Sequence, residues 1–227
     1  GQGVQFYYKV DTLFELSKIP AFVLLGIISA FMALYFLRIN RWVSNKFSKY
    51  KRSTKIILGG SILGLLVYIF PPLFGEGYSA LTSLLNNDVD VMFENSFFHP
   101  YVDNELTFLI VLVAIMFFKA IATAVTCSSG GVGGTFAPSL FLGGFVGFFV
   151  ARIVNLSGLI TVAESNFALV GMAAVMAGVM HSPLTATFLI AEITGGYALF
   201  VPLLIATTIA YLVVKPLTKY SIYAAPL

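Results

Sequence analysis

The stretch Ser128-Ser129-Gly130-Gly131-Val132-Gly133-Gly134-Thr135-Phe136-Ala137-Pro138 decides the fold, because it lies between long apolar segments and cannot continue either of them. Four of the five positions from 130 to 134 are glycine. A glycine inside a helix costs about 1 kcal/mol relative to alanine, so the run reads as a break. A new helix starts near Thr135, with Pro138 in its first turn, where a missing N–H costs nothing.

A helix that starts inside a membrane leaves its first backbone N–H groups without carbonyl partners. Its dipole places roughly half a positive charge at the same end. Such a terminus attracts a small anion without any buried Lys or Arg, and glycines let the ion come close to the backbone. Small residues also let two helices cross closely in lipid. Taken on the residues alone, an anion site and a tight helix crossing explain the run equally well.

The composition around this stretch requires a membrane. Apolar residues make up 59% of the 227 positions and charged residues 10%, with a mean hydropathy of +0.94. Soluble domains are about 45–50% apolar and about 25% charged. Apolar segments fall at 19–37, 56–70, 106–127, 135–153, 167–180, 183–193 and 197–214. Several are shorter than the ~20 residues that a simple crossing needs, and several contain Gly or Pro. Short and broken helices of this kind belong to channels and transporters whose helix ends meet within the bilayer.

The charges orient the segments. Arg38, Arg41, Lys46, Lys49, Lys51, Arg52 and Lys55 fill one acid-free stretch, and no Lys or Arg occurs from Ile56 to Phe118. Glu76, Asp88, Asp90, Glu94, Asp103 and Glu105 gather in the next connection. The positive-inside rule makes loop 38–55 cytoplasmic and loop 71–105 external. Counting alternate crossings from there returns Lys215 and Lys219 to the cytoplasm. Flanked by spans, the basic run reads as a membrane loop and not as a nucleic-acid surface. Residues 1–18 read as a lead-in on the external side, and Gly1 as a truncation point.

No enzyme chemistry is visible. The sequence shows no nucleophile–base constellation and no phosphate-cradling glycine loop. His99 and His181 have no neighbours at metal-ligand spacing, so neither a metal nor any other cofactor is expected. Cys127, the single cysteine, reads as packing. Lys119 lies within an apolar span and is expected to sit near an ion path or to pair with a carbonyl or carboxylate. Glu192 is expected to make polar contacts at a helix end.

Gly134-Thr135-Phe136-Ala137-Pro138 resembles the G-x-F-x-P signature of the CLC family of chloride channels and chloride/proton antiporters. The Cys127-Ser128-Ser129-Gly130 lead-in agrees with that family. So do His181-Ser182-Pro183-Leu184-Thr185-Ala186-Thr187 and the following Ala191-Glu192-Ile193-Thr194. The resemblance runs from about Ile19 to the C-terminus and fits the second of the family's two inverted repeats. It implies an all-α membrane protein with tilted, broken helices that transports chloride together with the first repeat.

Within that resemblance, the anion site falls on Gly134, Thr135, Phe136 and Pro138, with the backbone N–H groups of Thr135 and Phe136 facing a central chloride. The resemblance also implies a tyrosine hydroxyl that follows the family's penultimate helix and completes the site, from Tyr220 or, as the alternative, Tyr223. Without the resemblance, either tyrosine would read as an interfacial anchor. The resemblance also implies a homodimer through the 183–214 helices, where Ala186, Ala191 and Ala206 permit close packing. The family's gating glutamate belongs to the first repeat. Gly75-Glu76-Gly77 is only superficially similar to that motif, and Glu76 is expected in the outer loop and is not counted among the site residues. An unrelated secondary transporter of an organic anion is the alternative reading.

Overall fold

Backbone groups in hydrocarbon must be paired within their own segment, so apolar runs of this length become helices. The computed structural model describes residues 15–86, 104–158, 160–194, 197–218 and 220–222. A short 3-10 turn (Leu16–Lys18) leads into α1 (Ile19–Phe47), and α2 follows at Arg52–Ile69. A second 3-10 turn (Pro71–Leu73) precedes the short α3 (Tyr78–Leu85). Then come α4 (Glu105–Ser129), α5 (Phe136–Leu156), α6 (Glu164–Met180), α7 (Pro183–Ile193) and α8 (Phe200–Leu217). Among the described residues, α1, α2, α4, α5 and α8 are long and apolar enough to cross a membrane, whereas α6 and α7 are shorter.

The basic stretch after residue 37 is not the long loop expected from hydropathy, because α1 continues through it to Phe47. Two contacts explain this. Asn40 Nδ2 donates to the Phe36 carbonyl at 2.8 Å, which keeps the helical ladder company as the sequence turns polar. Val43 and Phe47 are buried with Ala124 and Val125 of α4, so packing holds the extension after the apolar run has ended. Only residues 48–51 remain to connect α1 to α2.

α6 is the centre. Every residue from Ser165 to Val179 is buried, as expected of a helix that is apolar on all sides. α5 lies against it at backbone contact. A Cβ at Gly143 would strike the Gly171 carbonyl oxygen, and one at Gly171 would strike that of Gly143. α1 and α8 close other sides of α6, whereas α2 lies at the rim with only Gly59 and Leu66 buried.

Polar clasps fix the helix ends. Arg152 Nη1 lies 3.0 Å from Glu164 Oε1, and its Nε lies 3.1 Å from Glu105 Oε1 as an ion pair without hydrogen-bond geometry. The start of α4, the end of α5 and the start of α6 therefore meet at one end of the bundle. At the other end, Gly59 of α2 packs against Ser129 of α4.

Candidate anion site

α4 stops where its glycines begin. Gly130 adopts φ 94°, a left-handed cap that suits a residue without Cβ, and the Gly131 N–H donates to the Thr126 carbonyl at 3.0 Å. The chain then passes through an exposed stretch to Gly134. The Cys127 thiol reaches the Gly133 carbonyl at 3.8 Å, a weak sulfur hydrogen bond across the break. α5 starts at Phe136, with Thr135 as its N-cap. Ser139 ties the first turn down: its N–H donates to Thr135 O at 3.1 Å and its hydroxyl to Phe136 O at 2.6 Å. The N–H groups of Phe136 and Ala137 have no carbonyl one turn earlier to accept them, and Pro138 brings none.

This helix start faces a cavity of about 620 Å³. Gly134, Phe136 and Pro138 line it, with Cys127 and Lys119 from α4 and Glu76 from the turn before α3. The backbone of the break, the helix dipole and one buried ammonium therefore all face the same space. All three favour negative charge, and the Glu76 carboxylate on the same wall opposes them.

Lys119 is only 2% exposed, and its Nζ donates to the carbonyls of Leu73 at 3.2 Å and Gly75 at 2.9 Å. The same ammonium stands over the Phe141 ring, 4.6 Å from its centroid. Among the described residues no carboxylate forms a salt bridge with it. Of the two roles expected for Lys119, carbonyl pairing is what the structure shows, and Lys119 lines the cavity as well.

Glu76 lies in the connection between the second 3-10 turn and α3. There it lines the same cavity as the glycine break. Its turn is built tightly: Gly77 adopts φ 84°, and a Cβ there would collide with Phe141. Burial, followed by the Glu76 carboxylate, raises the pKa of the Tyr78 phenol, so that group remains a neutral donor.

The structure brings Gly134, Phe136 and Pro138 to one surface, with Thr135 between them, and Tyr220 is not among the residues lining that cavity. Tyr220 is half-buried on the chain that leaves α8, and Tyr223 lies outside the described residues. Glu192 meets the Tyr197 hydroxyl at 3.3 Å at the end of α7.

The described helices form an apolar bundle with five candidate membrane spans, in which a helix starts anew after a glycine break beside a cavity. The family model for the voltage gated chloride channel matches residues 1–215, and the chain belongs to that family. It is 30% identical over 203 residues to the chloride channel protein CLC-e of Arabidopsis thaliana, covering 82% of this chain and 27% of that protein. It is 30% identical over 202 residues to the voltage-gated ClC-type chloride channel ClcB of Citrobacter koseri, covering 87% of this chain and 44% of the relative. The crystal structure of a slow cyanobacterial Cl−/H+ antiporter superposes with a TM-score of 0.74 at 27% identity, covering 98% of this chain and 49% of that one. The chain thus spans less than half the length of each of these relatives.

Proposed function

We propose that the full-length protein moves chloride across a membrane, as a channel or a chloride/proton antiporter, and that this chain supplies one half of the path. The observation that carries this reading is the start of α5 at Phe136, preceded by four glycines and open to a cavity that also receives the Lys119 ammonium. An anion bound there meets backbone N–H groups and a helix dipole, and no salt bridge holds it. Binding of that kind is favourable without being deep, which conduction requires. The relatives' names support chloride as the ion, and both channel and antiporter occur among them. The reading calls for no cofactor.

The finer parts of the reading follow from the sequence and the resemblance together. The basic residues 38–55 and the C-terminus face the cytoplasm, and residues 71–105 the other side. A tyrosine of the C-terminal tail, Tyr220 by preference, adds a neutral hydroxyl donor to the anion. Two copies associate through α7 and α8, whose Leu184, Phe188 and Val201 are exposed in the single chain.

The test is halide efflux from liposomes holding the full-length protein, with external pH recorded at the same time. Chloride efflux that drives protons uphill makes the protein an antiporter, and efflux without proton movement makes it a channel. No halide flux at either polarity overturns the proposal and moves an organic-anion transporter to first place.

A further inference from the structure

α1 outlasts its own apolar run. The run ends at Leu37, yet the helix continues to Phe47, and this extension has two unlike faces. Val43 and Phe47 are buried with Ala124 and Val125 of α4. At about 100° per residue, Arg38, Arg41, Trp42 and Lys46 fall on the other side, and all four are exposed. The turn after the helix and the start of α2 add Lys49, Lys51 and Arg52, which are exposed as well. Among the described residues none of these six cations forms a salt bridge, and residues 38–55 include no Asp or Glu. A cluster of like charges is stabilised when anions from outside lie among them.

The rest of the corner says which anion fits. Trp42, the single tryptophan of these 227 residues, is 59% exposed, and the Lys46 ammonium stands 5.7 Å from the centroid of its ring. Tryptophan gathers at the headgroup level of a bilayer, where its ring meets hydrocarbon and its N–H meets water. Ile56 and Ile57, one turn beyond Arg52 in α2, are 54% and 70% exposed. Arg38 directly follows the apolar run of α1, so charge begins where hydrocarbon ends. Cations, an aromatic ring and bare isoleucines together match a molecule with a negative head and apolar chains. A soluble anion would use the charges and leave the isoleucines uncovered.

We propose that this corner, where α1 turns into α2, is a binding surface for anionic phospholipid. Its phosphate headgroups lie among Arg38, Arg41, Lys46 and Arg52, and its acyl chains run along Ile56 and Ile57. Clusters of about four to eight Lys and Arg at the end of a membrane helix attract anionic lipid in this way. None of these residues lines the cavity at the start of α5, so the surface is separate from the candidate anion site.

The experiment uses the full-length protein in phosphatidylcholine vesicles that contain a trace of spin-labelled phosphatidylglycerol or spin-labelled phosphatidylcholine. Electron spin resonance gives the association of each lipid with the protein. At low salt, phosphatidylglycerol should associate about three-fold more strongly than phosphatidylcholine. In Arg38→Gln/Arg41→Gln/Lys46→Gln/Arg52→Gln, at least half of that advantage should disappear. The difference between parent and variant isolates this corner from basic residues elsewhere in the full-length protein. Arg38→Lys/Arg41→Lys/Arg52→Lys keeps the charge and should keep the advantage. Sodium gluconate at about 1 M, where the Debye length is roughly 3 Å, should shrink the advantage in the parent. That salt series decides the question if the neutralised variant does not fold, as thermal unfolding will show. An equal advantage in parent and neutralised variant overturns the proposal, as does an advantage that salt leaves untouched. A loss in the charge-conserving variant as large as in the neutralised one assigns the effect to packing and overturns it too. Inorganic phosphate that abolishes the preference at constant ionic strength makes the corner a site for a soluble anion, against the proposal. No preference for phosphatidylglycerol in the parent means that another part of the full-length chain covers these cations, and the proposal fails.

Discussion

The ammonium of Lys119 is held 2.9 Å from the carbonyl oxygen of Gly75, a residue 44 positions earlier in the chain. This contact, with its companion to Leu73, fastens the turn after α2 to the middle of α4 and so builds one wall of the cavity at the start of α5. It also leaves a positive charge inside the protein whose partners are dipoles, with no carboxylate forming a salt bridge among the described residues. A dipole holds the ammonium without cancelling its charge. The ammonium and the Glu76 carboxylate thus act on the same cavity with opposite sign.

Replacing Lys119 by Met keeps the length and removes both hydrogen bonds. Two buried carbonyls lose a charged donor, which costs about 1–3 kcal/mol, offset in part because the methionine no longer carries a desolvated charge. The expected outcome for Lys119→Met is a net loss of stability within that range and weaker halide binding, measured by denaturant unfolding and halide titration. Lys119→Arg is not a conservative alternative. A planar fork needs more room than the space beside Gly77, where a Cβ would already lie 3.3 Å from Nζ. If Lys119→Met binds halide as the parent does, the ammonium serves the turn alone.

Much of this was legible in the sequence, for physical reasons. An apolar chain with so few charges has one solvent open to it, so the all-helical membrane class follows from composition. The glycine run had to interrupt a helix, and together with Ser182-Pro183 at the start of α7 it carried the family. Depth was not legible. Glu76 follows the end of α2 in sequence, so it reads as a loop residue at the membrane surface. But α2 has 18 residues and α4 has 25, a difference of about 10 Å at 1.5 Å per residue. With Gly59 of α2 set against Ser129 at the far end of α4, the shorter helix finishes beside the middle of the longer one. The turn that carries Glu76 is thereby drawn down to the cavity. The extension of α1 to Phe47 was hidden for a similar reason, because burial of Val43 and Phe47 against α4 is a long-range contact that hydropathy does not register.

The crossing of α5 and α6 gives a second prediction. A methyl group at Gly171 would meet the backbone of α5 at Gly143 and Gly147, which cannot rotate aside as a side chain would. Overpacking of this kind costs typically about 1–3 kcal/mol, and a backbone-to-backbone contact belongs at the upper end. Gly171→Ala is expected to lower stability by about 3 kcal/mol, read from thermal or denaturant unfolding in micelles, because the helix propensity gained from alanine is only about 1 kcal/mol. A neutral Gly171→Ala would mean that the two helices do not approach this closely.

Cys127 offers the most direct test of where the anion sits, because it is the single cysteine of these 227 residues and lines the same cavity as Gly134 and Phe136. Its sulfur lies 3.8 Å from the Gly133 carbonyl, and the residue is exposed. A small thiol reagent that carries a sulfonate must pass the Lys119 ammonium and the start of α5, with Glu76 on the same wall, to reach it. A bound halide competes for the same space and blocks the approach. Labelling should therefore slow when gluconate is exchanged for chloride, by roughly ten-fold at a free halide concentration ten times its Kd. An uncharged thiol reagent of similar size separates the two effects, since it feels the occupied volume but not the charge. Its labelling should slow less. In Lys119→Met the sulfonate reagent should lose part of its advantage over the uncharged one, because a source of the attracting field is gone. Equal labelling rates in chloride and gluconate, for a cysteine shown to react, would place the anion elsewhere and separate the glycine break from ion binding.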